Sequence, residues 1–314
     1  MHRHSLPIGI LAFAISLLAG ATTAHAAPAT WVSGTGSDAG NCAITAPCRT
    51  FAFAHDQTNN NGTINVLSSG NFGPLTITKP ISIVADGVEA VINSSTGSIN
   101  PAGIIVQAGS AAIVSLRGLT VDLRGTDNDG ISFVSGAALH VQNCVIRKGR
   151  FGIAFSPASG TNELHVADTV VANSSSIGIV AFPTGSASVK AVLDRVRVEN
   201  GTGPGIFFKG DSTTGLIAAT VRGSIAAGNT GIGIFANAGG DGTTTVTVDR
   251  SAAVNNDIGI RSSGTGATIR IGDSTVTGNA NGLLFTSSGV IRSYGTNKVN
   301  GNTIDGTPSL VAMK

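Results

Sequence analysis

A glycine followed by an aliphatic residue returns along most of this chain at nearly even intervals. The pairs are Gly103-Ile104, Gly130-Ile131, Gly152-Ile153, Gly178-Ile179, Gly205-Ile206, Gly233-Ile234, Gly259-Ile260 and Gly282-Leu283, spaced 27, 22, 26, 27, 28, 26 and 23 residues apart. A period of this size with strand-type alternation is the mark of a stacked solenoid, in which each unit buries its apolar face only against its neighbours. The Leu-x-x-Leu-x-Leu spacing of leucine-rich repeats is absent.

Residues two apart in a strand point the same way. After the glycine, Ile131 with Phe133, Ile153 with Phe155, Ile206 with Phe208 and Leu283 with Phe285 are expected to face inward. A second strand places Leu139 with Val141, Leu164 with Val166, Ala191 with Leu193 and Ile269 with Ile271 inside. A third, shorter one holds Cys144 with Ile146, Thr169 with Val171, Val196 with Val198 and Ser274 with Val276. Three strands per turn predict an all-β chain of three parallel sheets around one narrow core. About ten coils spaced about 4.8 Å apart give a rod close to 50 Å long. An asparagine recurs before the glycine (Asn173, Asn200, Asn229, Asn255 or Asn256, Asn279), where stacked amides can hydrogen-bond along the axis and tolerate left-handed backbone.

Composition narrows the remaining classes. The 314 residues include 43 glycines, yet no Gly-x-y period makes the chain collagen-like. Charged residues are 11% and the net charge is +2, so no broad basic face exists for nucleic acid. Residues 1–26 read as a signal peptide. Arg3 opens it, Ile8 to Leu18 form an apolar core too short to span a bilayer, and Ala24-His25-Ala26 is a cleavage signature. The mature chain is then expected to start at Ala27 and to reach the periplasm or the medium, without a transmembrane segment.

Residues 27–62 are expected to form an N-terminal cap and 63–314 the solenoid. Thr50 to Gln57 predicts a short amphipathic helix covering the exposed end of the core, with Trp31 packed beside it. The polar stretch Asn297 to Lys314 would close the other end. Cys42 and Cys48, in Gly40-Asn-Cys-Ala-Ile-Thr-Ala-Pro-Cys48, are expected to form a disulfide in an exported protein, the alternative being free or metal-binding thiols. Cys144 reads as a small buried hydrophobe.

The Gly-Ile anchors, the asparagine turns, the stretch Leu75-Thr-Ile-Thr-Lys-Pro-Ile-Ser-Ile83 and the Cys42–Cys48 cap resemble the right-handed parallel β-helix, or pectin-lyase-like, superfamily. The resemblance covers nearly the whole mature chain. It implies right-handed coiling, in line with the general bias of parallel crossovers. It does not select an activity, since the superfamily holds lyases, hydrolases, epimerases, esterases, tailspikes and proteins without known catalysis. The Asn-Thr-Asp, Gly-His-Gly and Arg-Ile-Lys of polygalacturonases, the Asp-Pro-His-Glu of alginate epimerases and the Trp-x-Asp-His of pectate lyases are all missing.

Four groups of residues remain as candidates for chemistry. His140 and His165 fall between the inward residues of successive second strands, so both should face solvent, with Glu163 on the same face and Asp168 just past the strand end. Two imidazoles and carboxylates on one wall could serve as acid and base or begin a metal site; the plainer reading is an exposed pair. Asp122, Asp127 and Asp129, in Val121-Asp-Leu-Arg-Gly-Thr-Asp-Asn-Asp-Gly130, could begin a calcium site or simply build a turn. Arg147 and Arg150 form a basic corner, near Arg195 and Arg197, that could hold an acidic polysaccharide. Phe207 and Phe235 should point outward in consecutive coils, either to stack a sugar or to pack under a loop.

No cofactor is implied. The expectation is an exported, non-catalytic rod that is structural or contacts carbohydrate. The competing readings are a divergent polysaccharide lyase or hydrolase using His140, Glu163, His165 and Asp168, and a surface adhesion module.

Overall fold

The computed structural model describes residues 26–93 and 102–311. All but the last residue of the leader expected over residues 1–26 lies outside them, as do the last three residues. Among the described residues, three parallel sheets of twelve, ten and nine strands wind around a single core, each coil adding one strand to each sheet in turn. We call them sheets 1, 2 and 3, in the order in which a coil visits them from its longest strand. Equivalent strands are in register: Leu139 faces Leu164, Ile146 faces Val171, and Ile131 faces Ile153.

The inward residues named from alternation are buried, with one exception. Phe133, Phe155 and Phe208 are fully enclosed, and Phe133 stacks on Phe155 with ring centroids 4.2 Å apart. Phe285 is instead 49% exposed. Its strand, Asn281–Thr286, is the last of sheet 3, so no further coil covers the ring. Alternation gives a side only where a neighbour exists to bury it.

The anchor glycines are required by space. A Cβ on Gly152 would meet the Val171 side chain and lie 2.6 Å from the Gly178 carbonyl oxygen. The same close approach recurs at Gly178, Gly233 and Gly259, so a column of bare backbone runs inside the rod. The aliphatic residue that follows each glycine fills the core beside it.

Two hydrogen-bonded ladders fix the corners. Between sheets 1 and 2, the backbone N–H of one coil donates to a buried side-chain oxygen of the next: Val196 to Ser224, Ser224 to Ser251, Ser251 to Ser274, and Ser274 to Asn297, at 2.9–3.2 Å. Between sheets 2 and 3, Asn229, Asn256, Asn279 and Asn302 do the same with both backbone N–H and side-chain amide. Asn256, for example, gives its N–H to Asn279 Oδ1 at 2.8 Å and its Nδ2 to the same oxygen at 3.2 Å. At the end, Asp305 Oδ1 takes the place of the next asparagine, accepting from Asn302 N at 3.1 Å and Asn302 Nδ2 at 2.9 Å. The expected asparagines thus divide over two adjacent columns. Asn229, Asn256 and Asn279 form the ladder, while Asn173, Asn200 and Asn255 hold left-handed backbone beside it, with φ of 56°, 57° and 55°.

Helix Phe51–Gln57 starts one residue after Thr50, whose hydroxyl accepts from Phe53 N at 3.2 Å as an N-cap. It packs on strands Ala27–Val32, Thr58–Val66 and Leu75–Ile77, burying Phe51 against Phe72. Strand Ala27–Val32 is the outermost of sheet 1 at this end. Cys42 and Cys48 are joined by a disulfide across a Cα–Cα distance of 4.9 Å. Burial pushes the Cys144 thiol up to about 11, so it packs as a hydrophobe.

Candidate functional site

Sheet 1 has the longest strands, and every second residue on it faces out. One outward column runs in strict register through Thr63, Ser82, Ser115, His140 and His165. The first four line a trough of about 300 Å³ whose walls include Arg117 and Gln142. Its floor is formed by small hydroxyl side chains, because Thr63, Ser82 and Ser115 stand where a bulky residue would fill it.

His140 and His165 sit side by side at the end of the trough, with ring centroids 4.9 Å apart and planes nearly perpendicular. His165 Nε2 lies 3.4 Å from Glu163 Oε2, and Lys190 Nζ lies 3.9 Å from the other carboxylate oxygen. Partial burial holds the His140 imidazole below its usual pKa; the neighbouring His165 adds to this and Glu163 opposes it. His140 is therefore neutral near pH 7, able to accept or donate a hydrogen bond at the trough end.

Asp168 does not join this group. Its strand has already ended, and a left-handed residue (φ 49°) turns its side chain to the corner between sheets 1 and 2. There Arg195 grips it in a two-pronged contact at 2.7 and 2.9 Å, holding its carboxyl below the usual range. Arg195 also bonds Asp194, which in turn accepts from Arg222 at 2.9 Å. The corner is an alternating ladder of acids and bases, and such exposed pairs are each worth little.

The other candidates are likewise committed to neighbours. Burial raises the Asp122 carboxyl, but the Arg124 N–H and Arg147 outweigh it and hold it below its ordinary pKa. Arg147 Nε bonds Asp122 at 2.9 Å, and Arg150 clasps Asp129 at 3.0 and 3.1 Å. Asp127 is exposed and adds a favourable charge beside Arg150 without a side-chain hydrogen bond to it. Among the described residues, no three His, Cys, Asp or Glu side chains are grouped to hold a metal ion. Arg147 and Arg150 are thus each paired with a different acid, and Arg197 bonds Glu199.

Phe207 and Phe235 do occupy matching outward positions on sheet 3, stacked with centroids 4.4 Å apart and planes within 9°. Phe207 is almost buried, and the Arg261 guanidinium covers Phe235 at 5.1 Å from its centroid. The faces that a sugar would use are spent on Phe207, Phe235 and Arg261. Ala154, Val180 and Phe182 extend this apolar strip.

Thr63, Ser82, Ser115, Arg117 and Gln142 were not singled out from sequence. The signal for them was present in the repeat: extending the His140–His165 column backwards by whole coils lands on Ser115, but single hydroxyls carry no motif. Among the described residues, no helix is long and apolar enough to cross a membrane.

Comparison with known proteins bears on the fold. The family model described as right handed beta helix region matches residues 102–271. The crystal structure of pectate lyase Pel9A superposes with a TM-score of 0.58 at 14% identity, covering 90% of this chain and 77% of that one. The A-module of the Azotobacter vinelandii mannuronan C-5 epimerase AlgE4 gives a TM-score of 0.50 at 13% identity, covering 81% of this chain and 91% of that one. At such identities the likeness is one of fold. No curated protein matches the sequence.

Proposed function

Since the chain belongs to the right-handed β-helix family, we propose that it is an exported protein that contacts polysaccharide along the outward face of sheet 1 without cleaving it. The observation that carries this reading is the in-register column Thr63–Ser82–Ser115–His140, a hydroxyl-floored trough with Arg117 and Gln142 at its wall. Sugar hydroxyls both donate and accept, and Ser, Thr, Gln and neutral His answer them in kind. The strand spacing is close to the length of one sugar ring, so a chain laid along the column meets a similar contact in each coil. Structural neighbours named for pectate and mannuronan support a polysaccharide as ligand.

Export is supported by the leader read in residues 1–26 and by the Cys42–Cys48 disulfide. Residues 27–62 act as the cap of this rod and the coils from residue 63 onward as its body. The absence of cleavage is argued from the His140 group: Glu163 is its one carboxylate, since Asp168 is held by Arg195.

The test uses the purified protein on immobilised neutral and acidic polysaccharides, with unsaturated-sugar absorbance and new reducing ends followed in parallel. Retention that disappears in Ser115→Trp, which fills the trough, with no product formed, is the expected result. Product that vanishes in His140→Ala or Glu163→Ala would overturn it in favour of a divergent lyase or hydrolase, the reading that the His165–Glu163 contact favours. Retention unchanged in Ser115→Trp would remove the trough from the account.

A further inference from the structure

Most arginines along the outward side of sheet 1 and its corner with sheet 2 meet an acid. Arg117 meets Asp86, Arg195 meets Asp168 and Asp194, Arg222 meets Asp194, and Arg250 meets Asp249. Towards the C-terminal end this matching stops. Arg270, in strand Ala267–Gly272, stands directly opposite Arg292, in strand Val290–Ser293. Both face outward, and neither has a hydrogen-bond or ion-pair partner among the described residues. Asp249 lies diagonally from Arg270, but Arg250 Nε holds its carboxylate at 2.9 Å. Like charges opposed across a strand pair cost stability, and no contact within the chain offsets this one.

A second departure from the pattern lies beside it. The neighbouring outward column reads Asp194, Arg222, Asp249 and then Gly272. The space that a side chain at 272 would occupy is bordered by Tyr294, whose Cδ2 would be 3.2 Å from a Cβ there, and by the Arg250-held carboxylate of Asp249, whose Oδ1 would be 3.8 Å from it. Tyr294 is the chain's one tyrosine and is only half-buried. On the other side, Thr247 sits in register with Arg270. Two unanswered guanidinium groups, a threonine hydroxyl and an aromatic ring set over a glycine therefore meet at one place on the sheet.

We propose that Arg270 and Arg292 form a binding site for a tetrahedral oxyanion, a sulfate or phosphate ester carried by a sugar chain, with Tyr294 alongside the sugar that bears it. Two arginines set opposite one another on neighbouring strands suit a tetrahedral group better than a planar one. A carboxylate is satisfied by the fork of one guanidinium, whereas a sulfate or phosphate presents oxygens in several planes and can take donors from both arginines at once. The charge repulsion between the two side chains is relieved when the anion binds. The site rests on the reading of sheet 1 as a polysaccharide-contacting face but uses none of the trough residues.

The experiment measures binding of the purified protein to four polymers that share one backbone: dextran, dextran sulfate, dextran phosphate and carboxymethyl dextran. The double variant Arg270→Gln/Arg292→Gln removes the site. Arg197→Gln/Arg250→Gln removes the same charge from arginines that already have partners. The Arg270/Arg292 variant is expected to lose affinity for dextran sulfate or dextran phosphate by about tenfold or more, the equivalent of one charge-assisted hydrogen bond, while the control stays near the native value. Whichever of the two polymers shows the larger loss identifies the ester. Equal losses in both double variants would reduce the effect to net charge and overturn the proposal. Carboxymethyl dextran bound as tightly as the sulfate, or no loss at all, would overturn it too. Binding of neutral dextran that depends on Ser115 reports the trough separately, so failure of either site is seen independently of the other.

Discussion

Replacing Asn256 by alanine removes four hydrogen bonds from the middle of the asparagine ladder. The side chain accepts from Asn229 N at 3.1 Å and Asn229 Nδ2 at 3.0 Å, and donates to Ala226 O at 3.0 Å and Asn279 Oδ1 at 3.2 Å. The residue is 5% exposed, so water does not replace it. Asn279 Oδ1 keeps the Asn256 backbone N–H, and Asn229 Nδ2 keeps Val198 O, but Asn229 N–H loses the partner that the side chain supplied. One orphaned buried donor plus three bonds of modest net worth comes to about 3 kcal/mol. Asn302→Ala, at the half-exposed end where water can enter, should cost about 1 kcal/mol. Solenoids need not unfold in one step, so urea transitions are best paired with hydrogen exchange at the Asn229 amide. Exchange there should quicken by about a hundredfold in Asn256→Ala. If Asn256→Ala lies within 1 kcal/mol of the native chain, or costs no more than Asn302→Ala, the ladder does not hold the coils as argued.

Other outcomes follow from single features. Gly152→Ala should destabilise by about 3 kcal/mol or more, because its methyl group would be driven into Val171 and the Gly178 carbonyl; Gly160→Ala, at φ +75° with nothing nearby, should cost only about 1 kcal/mol of backbone strain. Thermal melts compare the two. Burial holds the His55 imidazole below its usual 6.5, Asp56 opposing and Lys79 assisting, so the unfolded chain takes up the proton first as pH falls. The stability that neutral His55 confers is complete above that value and declines as pH drops through it towards the folded pKa; His55→Gln should flatten the slope of midpoint against pH, in part only because His140 is shifted the same way. Cys42→Ser/Cys48→Ser opens a loop whose ends are 6 residues apart and should cost about 2 kcal/mol by chain-entropy reckoning, read from urea midpoints in the absence of reductant.

Much of this architecture was legible from residues alone, since a repeat that buries its face only against itself must place equivalent residues opposite one another. That logic alone puts His140 opposite His165 and Phe207 opposite Phe235, as the strands do. It failed where the repeat loses a neighbour or changes direction. Phe285 has the parity of an inward residue but no following strand to cover it. Asp168 has the right distance from His165 along the chain, but a single left-handed residue swings it round a corner to Arg195. Choosing between Asn255 and Asn256 required the backbone: one takes positive φ and the other the buried ladder, and sequence spacing differs between them by a single step. The trough escaped notice because Ser82 and Ser115 are ordinary residues whose meaning comes only from their place in a column.

The asparagine ladder also has a polarity along the rod. The oxygen that receives each coil's amide belongs to the coil that follows, so each coil carries an unfinished edge until its successor is in place. Each coil completes the one before it and exposes its own open donors in turn. A rod cut after any coil of this stretch therefore ends on a row of open donors, whichever coil forms first. Asp305, reached three residues after Asn302, supplies the closing acceptor from the same turn and lets that edge finish without another coil.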